Sequence, residues 1–270
     1  MPWPRRSIGR AGSIGLTSAG GRCDMGQPRA LPPVIDVALI GDSHANILRQ
    51  YLAPRLRFAA SMVAPSKHFA GQFCTIADDR LHIAQGDLLS IFPRLDGPRR
   101  DAMLNARARL DTQLQAIIAG RGPIVSTLGS ATHRFYRTHA AGFRTQDQAA
   151  PQYSGKMLRA LLGSFCAPYL DFHRHLVTSG RTVVFVPAPA RIPDEHPAPW
   201  LAYDGYMHAE MTRMGVTVLD THGDTCDETG TLRADFAADD VLHGNDTWNA
   251  LVINKLAQVL PEMAIGQDRS

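Results

Sequence analysis

Three things are scarce in this chain, and each scarcity removes a class of protein. No apolar run among its 270 residues approaches the ~20 needed to cross a bilayer as a helix, so no membrane span is expected. Its four cysteines, Cys23, Cys74, Cys166 and Cys226, stand far apart and form no Cys-x-x-Cys pair. That argues against a structural zinc site or a disulfide framework and fits a reducing compartment. Charge of one sign is scarce too, once the head of the chain is set aside. Residues 1–30 hold Arg5, Arg6, Arg10, Arg22 and Arg29 against Asp24, while the remainder carries 23 basic and 24 acidic residues. A body so near neutrality gives no electrostatic reason to invoke nucleic acid or an anionic membrane. The basic head is rich in Gly, Ser and Arg and has no apolar core, so it does not read as a secretory signal. The expectation is a disordered tail over residues 1–30, or an early start ahead of Met25, on a cytoplasmic protein.

What is present is an ordinary globular composition, 44% hydrophobic and 20% charged, in a length that suits one α/β domain over residues 31–265. Short β-branched or apolar runs at Val34–Ile40, Phe58–Val63, Pro123–Leu128, Arg181–Val186 and Val216–Leu219 read as strands, and the clearer of them are apolar nearly throughout, as strands covered on both faces must be. Between them lie segments of helical period: Ala45–Leu52, Ala102–Ala119, Tyr153–Val177, Trp200–Met214 and Thr247–Leu260. The third puts Met157, Leu158, Leu161, Leu162, Phe165, Tyr169, Phe172 and Leu176 on one stripe. In the last, Asn245 or Asp246 is placed to cap. Alternation of this kind predicts βαβ crossovers, hence a mostly parallel five-stranded sheet between two helical layers. Functional groups in such sheets gather outside the carboxyl ends of the strands.

The first strand runs directly into Gly41-Asp42-Ser43-His44. A serine there would stand at the carboxyl edge of the sheet, with backbone N–H groups nearby to face an oxyanion. Asp42 or Ser43 is equally suited to cap the helix that follows. Near the other end, Asp240-Val241-Leu242-His243 precedes the final amphipathic helix. One backbone turn would bring the carboxylate to a ring nitrogen, fixing the tautomer and leaving the other nitrogen to accept a proton from a hydroxyl.

Together the two segments resemble the GDSL, or SGNH, hydrolase family, whose first block is Gly-Asp-Ser after the first strand and whose last is Asp-x-x-His before the last helix. The resemblance implies a flavodoxin-like three-layer α/β/α sandwich. It also implies hydrolysis of an ester, on a small molecule or a carbohydrate, without a metal or other cofactor. Ser43 would be the nucleophile, His243 its base and Asp240 the group that orients the base. The backbone of Ser43 with Gly71 would form the oxyanion hole. The Gly-x-Ser-x-Gly elbow of other α/β hydrolases is absent around Ser43.

One block departs from the pattern. The third strand ends in Gly129-Ser130-Ala131-Thr132-His133, with alanine where the family usually has an oxyanion asparagine. Loss of one such donor typically costs ~10²–10³ in turnover. Ser130, Thr132 and His133 are expected to line the site with Asp42 and His44, and any of the three could replace the donor. Of the other histidines, His173 and His175 are expected to pack or lie at the surface, and His222 to border the cleft. Two rival readings follow from the same residues. Asp42, His44 and Asp87 resemble part of a metallophosphoesterase ligand set, though no Gly-Asn-His or Gly-His-x-His block follows. Ala131 motivates the second, a non-catalytic binding module that keeps the hydrolase fold; acyl transfer, in which a sugar hydroxyl replaces water, would use the same residues as hydrolysis.

Overall fold

The first strand shows why its whole length is apolar. In β1 (Ile35–Gly41) successive side chains point to opposite faces, and Val37 and Leu39 enter one core while Ala38 and Ile40 enter another. The same division holds in β5 (Ile124–Ser126) and β6 (Val183–Phe185). Ile124, Val183 and Phe185 join the second core, and Val125 and Val184 the first. Each valine, leucine, isoleucine and phenylalanine among them contributes roughly 1.5–3 kcal/mol by leaving water. A computed structural model of the chain describes residues 34–51, 56–63, 74–77, 80–83, 96–143, 153–192, 197–240 and 242–267. The expected tail over residues 1–30, the oxyanion candidate Gly71 and the alternative ligand Asp87 lie outside the described residues.

Five strands form one parallel sheet in the order β2-β1-β5-β6-β7, with β2 at Leu56–Val63 and β7 at Thr217–Val218. This is the flavodoxin-like order, and its switch point falls between β1 and β5. On one face lie α2 (Gly97–Ala119), α3 (Thr132–Phe143), α4 (Gly155–Thr178) and α5 (Pro197–Arg213), through residues such as Leu114, Phe135, Phe172 and Tyr203. On the other lie α1 (Ser43–Leu48) and α7 (Asp246–Gln267), through Ala45, Leu48, Trp248, Val252 and Leu256, and the one-turn α6 (His222–Thr225) comes between α5 and α7 in the chain. The architecture is therefore a three-layer α/β/α sandwich. None of the described helices is long and apolar enough to cross a membrane.

Local chemistry sets the helix ends. Asp96 caps α2 by accepting from Arg99 N–H at 3.2 Å, Ser154 caps α4 through Met157 N–H at 3.2 Å, and Asn245 caps α7 through the N–H groups of Thr247 and Trp248. Three differences from the sequence reading appear. Met157, placed on the buried stripe of α4, is 48% exposed, because the first turn of that helix runs beyond the core. The helix α3 was not anticipated: its residues are largely polar, and Phe135 is a fully buried aromatic anchor. An antiparallel hairpin of β3 (Cys74–Ala77) and β4 (Arg80–Ile83) was also not anticipated, its strands being only four residues each.

Candidate active site

The β1–α1 turn can be this tight only because residue 41 is glycine. A Cβ there would lie 2.0 Å from Thr127 Oγ1 and 2.9 Å from Ala45 Cβ. Asp42 then takes the capping role, its carboxylate accepting the N–H of His44 at 3.1 Å, so that Ser43 has no duty as a cap. Ser43 is exposed at the start of α1, beside the switch point of the sheet. Among the described residues, no backbone hydrogen bond engages its N–H.

The opposing segment is a closed loop. An antiparallel bridge pairs Ala237 with Gly244, Ala238 N–H donates to His243 O at 3.2 Å, and Asn245 N–H donates to Phe236 O at 2.8 Å. Inside that loop the three-residue spacing from Asp240 to His243 has a physical reason. Asp240 Oδ1 accepts the backbone N–H groups of Leu242 at 2.8 Å and His243 at 2.7 Å, which curls the chain. Oδ2 is thereby left 2.6 Å from His243 Nδ1. A carboxylate only accepts, so Nδ1 carries a proton, and in the neutral ring Nε2 then presents a lone pair. That nitrogen lies 3.0 Å from Ser43 Oγ. Burial opposes ionisation of Asp240, but the bonds from His243 and the two backbone N–H groups outweigh it, and its pKa falls to about 2. Arg191 ties the loop from the side by donating to the Asp240 carbonyl.

Glycine at position 244 lets the loop meet α7. A Cβ there would come within 2.5 Å of the Trp248 side chain, and Asn249 Nδ2 donates to the Gly244 carbonyl at 3.3 Å. His243 is thus held between a backbone turn and the buried start of a core helix.

Beneath Ser43 and His243 is a second aspartate–histidine pair. His44 is buried, with Nδ1 3.1 Å from Asp42 Oδ1 and its ring centroid 4.8 Å from that of His243. Burial works against the charge on each partner, yet their mutual attraction prevails: Asp42 sits below its ordinary pKa and His44 above. Thr127 Oγ1 lies 3.4 Å from both the Asp42 carboxylate and the Asp42 N–H. No motif in the sequence marks Thr127. Its position just past β5, at the switch point, was the available signal.

The loop after β5 uses its hydroxyls internally. Ser130 donates to Val186 O at 2.8 Å, Thr132 donates to Asp204 Oδ1 at 3.2 Å, and both residues are buried. Tyr203 donates to the Gly129 carbonyl at 2.7 Å. Ala131 belongs to the hydrophobic core below the sheet edge. His133 is half-buried, and its pKa is lowered by burial and then by the nearby charge of His44, with Arg137 and His243 adding to the effect against Asp42. It therefore lies within electrostatic reach of both histidines. His222 lies 3.7 Å from Asp204, the carboxylate that accepts the Thr132 hydroxyl. His173 is buried inside the fold, between the Tyr169 carbonyl at 2.7 Å and Ser126 Oγ at 2.9 Å. Among the described residues, no three His, Cys, Asp or Glu side chains converge as metal ligands.

No family model matches the chain, and no curated protein matches it. Among solved structures it is similar to the esterase domain of the ZfL2-1 ORF1 protein from the zebrafish ZfL2-1 retrotransposon. That likeness has 15% identity and a TM-score of 0.29, and covers 84% of this chain and 99% of that one. Similarity so faint transfers no chemistry, which must come from the geometry of the site.

Proposed function

We propose that the chain is a serine hydrolase of the SGNH type, acting on a carboxylic ester through an acyl-enzyme on Ser43. The observation that carries this reading is the continuous relay from Ser43 Oγ to His243 Nε2 at 3.0 Å and from His243 Nδ1 to Asp240 at 2.6 Å. Its two ends come from loops at the same edge of one sheet.

In the first step Ser43 Oγ attacks the ester carbonyl carbon as its proton passes to His243 Nε2. The carbonyl π electrons move onto oxygen, forming a tetrahedral oxyanion against the Ser43 N–H. Collapse breaks the bond to the alcohol oxygen, which leaves with the proton from His243. A water then gives a proton to His243 and attacks the acyl-serine, and the second collapse releases the carboxylic acid and restores Ser43. Asp240 stays ionised throughout and stabilises the imidazolium that forms twice per cycle. An alcohol replacing water in the second half would make the same site an acyltransferase. The substrate favoured is a small O-acyl ester, on a small molecule or a carbohydrate.

A panel of p-nitrophenyl esters of increasing acyl length tests this. Wild-type protein should release nitrophenol with a preference for short chains, Ser43→Ala should not, and a chelator should leave the rate unchanged. Turnover that persists in Ser43→Ala, or that vanishes with chelator and returns with manganese, overturns the serine mechanism.

A further inference from the structure

We propose that His44 is a positioning residue, clamping the loop that bears Asp240 and His243 onto the turn that bears Ser43. Its kinetic consequence rests on the serine-hydrolase reading; the clamp itself rests on geometry.

His44 is buried at the junction of the two segments and reaches both. Nδ1 faces Asp42 Oδ1 at 3.1 Å, and Nε2 faces the Leu242 carbonyl at 3.5 Å. Carboxylate and carbonyl are both acceptors, so a ring that satisfies the two must carry a proton on each nitrogen. A ring so occupied has no lone pair to offer as a base, and its task is to hold. Leu242 is the residue next to His243, and its own N–H is fixed to Asp240 at 2.8 Å. Anchoring the Leu242 carbonyl therefore anchors the peptide from which the His243 ring projects. The rings of His44 and His243 also touch, centroids 4.8 Å apart at 52°, so His44 forms a floor under the base. Also facing this pair are Thr127, through the shared Asp42 carboxylate, His133 from α3, Asp240 from the clamped loop and Tyr169 from α4. Asp42 thereby has two duties: it caps α1 and anchors the clamp. Reactive groups need alignment within fractions of an ångström, and a shift of ~1 Å can cost ~10²-fold.

Two near-isosteric variants separate the contacts. In His44→Asn the amide replaces Nδ1 and keeps the bond to Asp42, but does not reach Leu242. In His44→Gln the amide replaces Nε2 and keeps the bond to Leu242. Backbone hydrogen exchange over residues 238–246 should quicken about tenfold in His44→Asn and stay near wild type in His44→Gln, with melting temperatures measured alongside. Acylation by a fluorophosphonate, per folded molecule, should fall ~10- to 100-fold in His44→Asn, and kcat for an ester should fall with it at unchanged KM. Loop exchange in His44→Asn equal to wild type overturns the clamp. So does a pair of variants whose acylation rates both match wild type. Wild-type protein that takes no label at Ser43 overturns the hydrolase reading instead, and the exchange result still decides the clamp.

Discussion

His243 and Ser43 stand 200 residues apart in sequence and meet at 3.0 Å, ring nitrogen to hydroxyl. Nothing local brings them together. The parallel sheet does so by ending β1 beside the switch point, and the packing of Trp248 and Val252 on the far face of the same sheet carries the final loop to that edge.

On the proposed mechanism Asp240 orients the base, so Asp240→Asn should lower kcat/KM for ester hydrolysis by about 10²–10⁴-fold in a protein that still folds, at a melting temperature lowered by loss of the carboxylate's contribution. The pH dependence follows from its lowered pKa. A carboxylate depressed to about 2 contributes stability above its ordinary pKa of 3.8, and that contribution fades only as pH falls toward 2. Asp240 is therefore ionised across any working range, and the acid limb of a wild-type kcat/KM profile should lie well above pH 2. An acid limb that tracks the titration of Asp240 itself would contradict its role as a permanent anion.

Replacing Gly244 with alanine sets a methyl group against Trp248 at under 3 Å. Either the loop or the core helix must give way. Gly244→Ala should cost roughly 1–3 kcal/mol in a denaturant titration and should also reduce ester turnover, because His243 is the preceding residue. A variant with wild-type stability would show that the loop has slack the contact distances deny.

An asparagine placed at position 131 should not raise turnover. Ala131 is 2% exposed and packs among Phe135, Tyr203 and other core residues. An amide there is buried without a prepared partner, at a cost of about 1–3 kcal/mol. Ala131→Asn should lower the melting temperature and leave turnover flat or reduced. A gain in kcat would show that position 131 does reach the oxyanion.

His173 should give the protein an acid-sensitive core. Burial holds its pKa down to about 4, against 6.5 for the free side chain. The neutral ring donates from Nδ1 to the Tyr169 carbonyl and accepts from Ser126 at Nε2. Below pH 6.5 the unfolded chain binds a proton that the folded chain refuses. The contribution is therefore complete above pH 6.5 and is lost as pH falls toward 4, on the order of 3 kcal/mol in all. Urea midpoints of wild type and His173→Gln should converge across that interval. A constant difference from pH 7 to pH 4 would exclude the linkage.

All five strands of the parallel sheet and five of the helices were legible in the sequence, and the trace is clearest where the sheet is covered on both faces, as at Val37-Ala38-Leu39-Ile40. The relay was legible for another reason, since Asp240 and His243 interact through a local turn and Ser43 follows a recognisable strand end. Elements supported by tertiary contacts were not. The polar helix α3 is pinned by Phe135, and Thr127 matters only because β5 lies beside β1. The bridging role of His44 depends on a contact with residue 242, which no spacing rule reveals. Ser130 and Thr132 looked available beside a strand end, but their hydroxyls are engaged with Val186 and Asp204.

The most direct measurement is covalent labelling with a fluorophosphonate followed by peptide mass spectrometry. One adduct per chain is expected on Ser43, forming quickly in wild type, slowly in His243→Ala and not at all in Ser43→Ala. An unlabelled wild type, or an adduct on another serine, would contradict Ser43 as the nucleophile.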